Sequence, residues 1–498
     1  MSAYEDLAQR FRRTGAIGGA MAVLEWDRSA MMPEGGSDAR TEQVATLSVI
    51  QHELMTDPRL AELLNEAERA SGVLDTWRRA NLREMRRVWR HANALPADLV
   101  EARSRAAAAC EMVWRRARAN DDFKSFIPSF TEVLRLTREV AAAKAEAFGL
   151  APYDALVQEY EPGASAASFD VIFDDLAAFL PGFLAEALEH QAARPAAIVP
   201  QGPFPVAAQR ELGLKFMTAL GFDFHHGRLD VSLHPFTGGV PQDVRITTRY
   251  REDDFTGALM GVLHETGHAL YEMGLPAEWS GQPVGEARGM VMHESQSLLV
   301  EMQVCRGLSF IRYAAPHLRA AFGGEGPAWT EDNLARLYKR VRPGLIRVDA
   351  DEVCYPAHVI LRYRLERALL AGDLGIADLP GTWRDGMKEL LGVTVPTDRD
   401  GCLQDIHWPS GSFGYFPTYT LGALTAAQLF AAARTQDAAI VPGIEQGDFS
   451  HLLRWLRANV HSLGCEMATD DLVRRATGAP LGTAAFKKHL RERYLGKS

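Results

Sequence analysis

Several things are scarce in this chain of 498 residues. Cysteine occurs five times, at Cys110, Cys305, Cys354, Cys402 and Cys465, an odd number scattered without C-x-x-C spacing. That excludes a disulfide scaffold and a cysteine-based metal cluster, and it points to a reducing compartment, so a cytoplasmic location is expected. Net positive charge is missing too: the formal charge is −10, which argues against a nucleic-acid partner, because phosphate neutralisation needs a basic surface. No Ser/Gly tract, Pro-rich run, long block of one charge or internal repeat divides the chain. One body over 1–498 is therefore expected, although the length alone allows about three domains. The opening Met1-Ser-Ala-Tyr-Glu-Asp carries acids where a secretory leader has a basic start and an apolar core, so no such leader is expected. Ser412 to Ala433 is uncharged and long enough to span a bilayer. Its Gly414, Pro417, Gly422, Gln428 and three threonines read instead as a buried turn followed by a core helix, so no membrane partner is expected.

What is present is mostly helix-forming sequence. From residue 3 to about 190, runs such as Ala106 to Arg118 and Val133 to Ala147 are dense in Ala, Leu, Glu, Arg and Lys, the residues that lose least on entering a helix. Breaks fall at Met32-Pro33-Glu34-Gly35-Gly36, Ser71-Gly72, Leu95-Pro96 and Pro162-Gly163. Arg78, Arg79, Arg83, Arg86, Arg87 and Arg90 crowd one helical stretch and read as a solvated face. Between about 193 and 253 the texture changes. Arg228 to Phe236 and Asp243 to Tyr250 alternate apolar and polar residues and suit short strands, with Thr237-Gly238-Gly239 as the connection. A small antiparallel sheet is expected there. Helix returns at about 286–305, 331–340, 349–372, 423–435, 449–460 and 483–494.

The stretch Gly261-Val-Leu-His-Glu-Thr-Gly-His-Ala-Leu270 carries the pattern H-E-x-x-H at His264, Glu265 and His268. On an α-helix, positions i and i+4 lie about 40° apart round the axis and about 6 Å apart along it, so both imidazoles can reach one metal ion. Glu265 falls beside that pair, where a carboxylate can take a proton from a water without being a ligand. Leu259, Val262, Leu263, Thr266, Leu270 and Met273 recur at spacings of three and four and supply an apolar face. Gly267 costs roughly 1 kcal/mol against Ala inside a helix, so it marks close approach of another backbone or of a bound chain.

A catalytic site of this kind needs a third ligand and an open fourth position. Glu286-Ala-Arg-Gly-Met-Val-Met-His-Glu-Ser-Gln-Ser-Leu298 reads as a second helix bearing Glu286, His293 and Glu294. His293 and Glu294 differ by about 100° in direction, so one of them faces the metal easily. Glu294 completes a two-histidine, one-glutamate zinc set, with His293 as the alternative ligand or a residue behind the ligands.

Together, His264-Glu-Thr-Gly-His268 and His293-Glu-Ser-Gln-Ser297 give the chain a resemblance to the carboxypeptidase Taq family of zinc-dependent metallocarboxypeptidases. Trp26-Asp27, Met32-Pro33, Gly35-Gly36, His234-Pro-Phe236, Asp243-Val-Arg-Ile-Thr247, Ile346-Arg-Val-Asp-Ala-Asp-Glu352 and Gly401-Cys-Leu-Gln-Asp-Ile-His407 extend it over nearly the whole chain. The resemblance implies a mainly α fold: a large helical saddle with a deep groove, similar to neurolysin and angiotensin-converting enzyme, with the small sheet beside the active site. On that picture 1–190 forms one groove wall and 191–498 the zinc-site part. It implies a homodimer that releases single residues from the C-termini of peptides, with broad specificity. It also places Asp243, Arg245, Thr247, Gln404, Asp405 and His407 near the C-terminal end of the substrate.

The chemistry that follows is attack by a zinc-bound water activated by Glu265, with Co²⁺ or Mn²⁺ able to occupy the same ligands. The tetrahedral oxyanion needs a hydrogen-bond donor, and His234, His407, Tyr415 and Tyr419 are the candidates. A free α-carboxylate suits the bidentate fork of an arginine, Arg245 or Arg347. Either one has an alternative partner: Asp243 for Arg245, and Asp349 or Asp351 for Arg347. Asp349, Asp351 and Glu352 are also candidates to orient ligand imidazoles. Two rival readings remain on the same residues. One is an oligopeptidase or peptidyl-dipeptidase on the same fold, the other a non-catalytic helical binding protein with a metal-stabilised core.

Overall fold

The structure is a computed structural model, and it describes residues 2–497. The chain is mainly helical. Its long N-terminal helices begin and end where the sequence breaks: Ala3–Ala30, Ser37–Thr56, Pro58–Arg69, Thr76–Asn93, Ala97–Asn120, Phe123–Phe148 and Ala166–Ala192. The first is closed at its start by a capping box. The Ser2 hydroxyl accepts from the Glu5 N–H, and the Glu5 carboxylate accepts from the Ser2 N–H, satisfying two amides that a helix start leaves open. The arginine-rich helix Thr76–Asn93 is a paired face, with Arg86 on Glu68, Arg87 on Glu84, and Arg83 on the Cys465 and Glu466 carbonyls. Residues 417–436 form a helix preceded by a turn, and no helix among the described residues is long and apolar enough to cross a membrane. Sequence reading overlooks the helices Val206–Leu220, Leu308–Phe322 and Leu379–Leu391.

The contacts group the chain into two compact units. One comprises Met1–Ala92, Ala197–Tyr338 and Thr425–Leu481; the other comprises Asn93–Ala196, Lys339–Leu424 and Gly482–Ser498. The first contains the sheet and both motif-bearing helices. The second contains the Ile346 to Glu352 and Gly401 to His407 segments.

The sheet differs from the expected antiparallel pair. It has three strands, β1 (Gly227–Val231), β2 (Phe236–Val240) and β3 (Asp243–Thr248), in the order β1-β3-β2, with β1 parallel and β2 antiparallel to β3. Thr237-Gly238-Gly239 is therefore strand, not connection. The tight turn lies instead at Pro241-Gln242, where Val240 pairs with Asp243. Gly239 makes that turn possible: its φ is +93°, and a Cβ there would sit 2.1 Å from the Asp243 carbonyl oxygen. Because β2 is tied to β3 by so short a loop, β1 is left to pair along the opposite edge of β3. The chain crosses the end of β3 to get there. The Ser232 amide donates to the Thr248 carbonyl, and the Thr247 hydroxyl holds Ser232 Oγ at 2.8 Å and the Phe236 amide at 3.1 Å.

Alternation along β3 then decides which side chains look where. Val244 and Ile246 enter the core with Leu229, Val262 and Ala269, so that face packs on the helix Thr256–Glu272. Asp243, Arg245 and Thr247 take the other face. The Thr256–Glu272 helix is more deeply buried than an apolar stripe requires, being enclosed almost throughout from Leu259 to Tyr271. Its neighbour Gly289–Leu298 comes close enough at Gly267 that a Cβ would meet the Gln296 carbonyl oxygen at 2.4 Å and Ser297 Cα at 2.6 Å. The approach is by backbone, which cannot rotate away. Gly267→Ala gains about 1 kcal/mol of helix propensity but overpacks the crossing at a cost of typically 1–3 kcal/mol or more. A net loss of stability and weaker metal binding are expected, read by urea unfolding and by metal titration.

Candidate metal centre

The Thr256–Glu272 helix presents His264 and His268 on one side, one turn apart, with ring centroids 5.0 Å apart. The Gly289–Leu298 helix brings Glu294 to them, and His268 Nε2 lies 3.5 Å from Glu294 Oε2. One ligand atom from each of His264, His268 and Glu294 falls within 4.8 Å of the others, and among the described residues this is the group of three so arranged. His293 is not in it.

Both imidazoles are already committed at Nδ1. His264 Nδ1 lies 2.9 Å from Glu301 Oε2, and His268 Nδ1 lies 2.6 Å from His293 Nδ1. Each is left with Nε2 for a metal. Glu301 sits in Leu299–Cys305, where the helix widens to π winding, a distortion that recurs at functional sites. Its other oxygen takes Arg306 at 2.6 Å. Burial opposes ionisation of Glu301, but Arg306 and His264 outweigh it and hold the carboxyl at about 2. Burial likewise opposes a charge on His264, yet Glu301, Glu294 and Glu265 push it up to about 10. Three carboxylates thus surround one guanidinium and two imidazoles, and the cluster attracts positive charge. A divalent cation fits that donor set better than a lone proton does.

Glu265 is tied to the sheet. Its Oε2 accepts from the Thr237 hydroxyl of β2 at 2.6 Å, and that hydroxyl also lies 3.1 Å from the Glu265 carbonyl oxygen. One carboxylate oxygen is thereby pinned to the sheet, and the other remains available to a water.

A model of the carboxypeptidase Taq (M32) metallopeptidases matches residues 6–494. The chain belongs to that family. It is 39% identical to thermostable carboxypeptidase 1 of Thermus thermophilus, over 99% of this chain and 98% of that one. It is 32% identical to carboxypeptidase 1 of Bacillus subtilis over 95% and 94%. Among solved structures, metallocarboxypeptidase 1 of Trypanosoma cruzi superposes with a TM-score of 0.97 at 42% identity, covering 99% of both chains. The M32 carboxypeptidase of Deinococcus radiodurans R1 superposes with a TM-score of 0.93 at 34% identity, over 99% and 98%. This M32 chain is a metallocarboxypeptidase, a peptide hydrolase that works with a divalent metal.

The other residues singled out in the sequence fall into two groups. On β3, Arg245 donates from Nε and Nη2 to both oxygens of Asp243, at 2.9 and 2.6 Å, and its guanidinium lies 4.6 Å from the Trp26 ring centroid. The Thr247 side chain is fully enclosed and spent on the strand crossing. His234 is exposed in the loop before β2.

In the second unit, Arg347 donates from Nε and Nη2 to Asp405 Oδ1 at 3.1 and 2.8 Å, and from Nη1 to the Tyr355 hydroxyl at 2.8 Å. The expected structural partners Asp349 and Asp351 are not used. Asp351 accepts from the backbone amides of Arg342, Val353 and Cys354. Arg362, which sequence reading passed over, donates to the other oxygen of Asp405 at 2.6 Å. Gln404 accepts from the Arg347 amide at 2.8 Å. His407 Nε2 lies 3.2 Å from the Tyr419 hydroxyl, and burial, then Arg347, lowers its pKa to about 4. Tyr415 stacks edge-on with Tyr160 and packs near His407. Burial would raise Asp405, but Arg362 and Arg347 hold it well below the ordinary carboxylate range. Glu352 does not orient a ligand; it binds His489, Arg493 and Tyr494.

Residues behind the ligands are what sequence reading missed: Thr237, Glu301, Arg306 and Glu272. Charge alone makes the acids at 349, 351 and 352 candidates for that task, whereas the orienting groups come from the motif helix itself and the π-wound stretch, and for Glu265 from β2.

Proposed function

We propose that this metallocarboxypeptidase holds zinc with His264, His268 and Glu294, uses Glu265 as general base, and releases single amino acids from peptides with a free C-terminus. The observation that carries the reading is the convergence of three ligand atoms while both histidine Nδ1 positions are occupied elsewhere. Bound there, the cation supplies a Lewis acid that makes a water acidic near pH 7. Glu265 receives the proton of the attacking water on the oxygen not held by Thr237, and returns it to the departing amine. Co²⁺ or Mn²⁺ suits the same donors, and metal analysis of the purified protein distinguishes them. The buried, unbridged state of all five cysteines supports a cytoplasmic location, and a homodimer is the assembly that light scattering would test.

For the substrate's carboxylate we favour Arg347 over Arg245. Asp243 takes the Nε–Nη2 edge of Arg245 and neutralises it one to one, and the Trp26 ring covers a face of the guanidinium. Around Arg347, two guanidiniums share the single carboxylate of Asp405, while burial keeps His407 and His358 neutral, the latter lowered to about 3. The cluster keeps a surplus positive charge inside walls of Tyr355, Phe416 and Tyr419, and one carboxylate would balance it. His407 and Tyr419 stand beside it as hydrogen-bond donors, and His234 and Tyr415 remain to be compared with them by substitution.

A peptide with an open C-terminus should yield its last residue as a free amino acid, whereas its C-terminal amide should resist. Arg347→Ala is expected to cost about 2–5 kcal/mol in kcat/KM on the open peptide and to narrow its advantage over the amide. Dipeptide products would favour the peptidyl-dipeptidase reading. An undiminished preference in Arg347→Ala would move the assignment to Arg245.

A further inference from the structure

The ligand set leaves His293 without a part to play, and its surroundings supply one. It stands between His268 and Glu272. Its Nδ1 is 2.6 Å from His268 Nδ1, and its Nε2 is 2.8 Å from Glu272 Oε1. Two ring nitrogens come this close only when one carries hydrogen and the other a lone pair. A carboxylate accepts and does not donate, so the hydrogen of a neutral His293 sits on Nε2, facing Glu272. Its Nδ1 is then a lone pair, and the hydrogen of that second contact belongs to His268 Nδ1. A neutral His268 with hydrogen at Nδ1 has its lone pair at Nε2, on the side of Glu294. Reversing either contact would put hydrogen on His268 Nε2 and remove it as a ligand.

We infer that His293 and Glu272 form a positioning relay that fixes the tautomer and ring angle of His268. This rests on the assignment of His264, His268 and Glu294 as the ligand set. The placement follows from helix geometry. Glu272 is four residues after His268 on the same helix and so lies on the same side. His293 precedes Glu294 and points about 100° away from it, so adjacent residues on the second helix reach His268 from the front and from behind. The Tyr271 ring, 5.7 Å from His293 by centroid and anchored by accepting from the Arg288 amide at 2.9 Å, walls the relay. The two histidine ligands are thus oriented by different devices. A carboxylate, Glu301, touches His264 directly, whereas an imidazole separates His268 from its carboxylate.

The test follows the rate at which the zinc-loaded protein releases metal to an excess of a coloured chelator. His293→Phe keeps the ring volume and removes both nitrogens, and release is expected to quicken roughly 10- to 100-fold. His293→Gln offers a carboxamide oxygen to His268 Nδ1–H and should recover most of that loss. Glu272→Ala should quicken release on its own yet add little to His293→Phe, because the two act through one another. Wild-type release in His293→Phe, or independent multiplication of the two factors in the double variant, overturns the relay. If His293→Phe does not fold, wild-type release in Glu272→Ala overturns it equally. His268→Ala separates the two levels of inference. If it too keeps its metal, the ligand set is wrong; if it leaks while His293→Phe does not, the relay alone fails. With Co²⁺ in place of zinc, the visible absorption of His293→Gln should match wild type and that of His293→Phe should not.

Discussion

Glu265→Gln is expected to retain its metal and to lose on the order of 10²–10⁴-fold in kcat, the range for a positioned general base, with KM little changed. Glutamine keeps the size of the side chain and an oxygen that can still accept from Thr237, so the helix, the β2 contact and the three ligands should stay in place. It cannot take the water's proton. The loss should therefore fall in kcat and kcat/KM together, as for an interaction made only in the transition state. Metal content by elemental analysis and steady-state kinetics on one open peptide are enough to decide it. Unchanged hydrolysis with metal retained would remove Glu265 from the mechanism.

The second large effect is at Glu294. Glu294→Ala should lower metal affinity well beyond the roughly 10- to 100-fold that follows loss of an outer partner, because it deletes a ligand and a charge at once. Glu294 is almost enclosed, and although burial would raise its pKa, His268 and His264 draw it below the ordinary value. Without it, the carboxylates that remain, Glu301 behind His264 and Glu272 behind His268 through His293, act only from the far side of the rings. Competition with a chelator of known affinity measures the change. His293→Ala is the contrasting variant: were Glu294→Ala to bind metal as wild type does while His293→Ala did not, the third ligand would be His293.

How much of this is legible in the sequence depends on whether a feature is local. The i, i+4 histidines and the intervening glutamate are helix geometry written in five residues. The angle between neighbours on a helix lets only one of His293 and Glu294 face the metal, and the two-histidine, one-glutamate set favours Glu294. Gly267 announces a close backbone, and the structure supplies Gln296 and Ser297. Thr237 could not be read so easily. Gly238-Gly239 beside it resembles a turn, because glycine serves a turn and a strained strand equally well, and the positive φ of Gly239 belongs to a strand. The mixed pairing of the sheet escapes for the same reason: alternation marks a strand but not its neighbour. Glu301 escapes differently, since its reach to His264 depends on π winding, which has no residue pattern of its own. In Asp243-Val-Arg-Ile-Thr247 the motif is plain, yet only the structure shows that Arg245 turns towards Trp26 and the apolar residues towards the motif helix.

The crossing at Gly267 has one more consequence. The two ligand-bearing helices touch backbone to backbone there, and the excursion Met273 to Arg288 leaves one and rejoins the other. A cation shared by His264, His268 and Glu294, as proposed, would therefore act as a clasp on that excursion, closing by coordination what is otherwise held by packing. Binding to the folded chain stabilises it by mass action, about 2.7 kcal/mol at a free metal concentration a hundredfold above Kd. Metal supply and resistance to proteolysis thus become a single variable, and a cell short of the ion would lose the enzyme itself as well as its turnover.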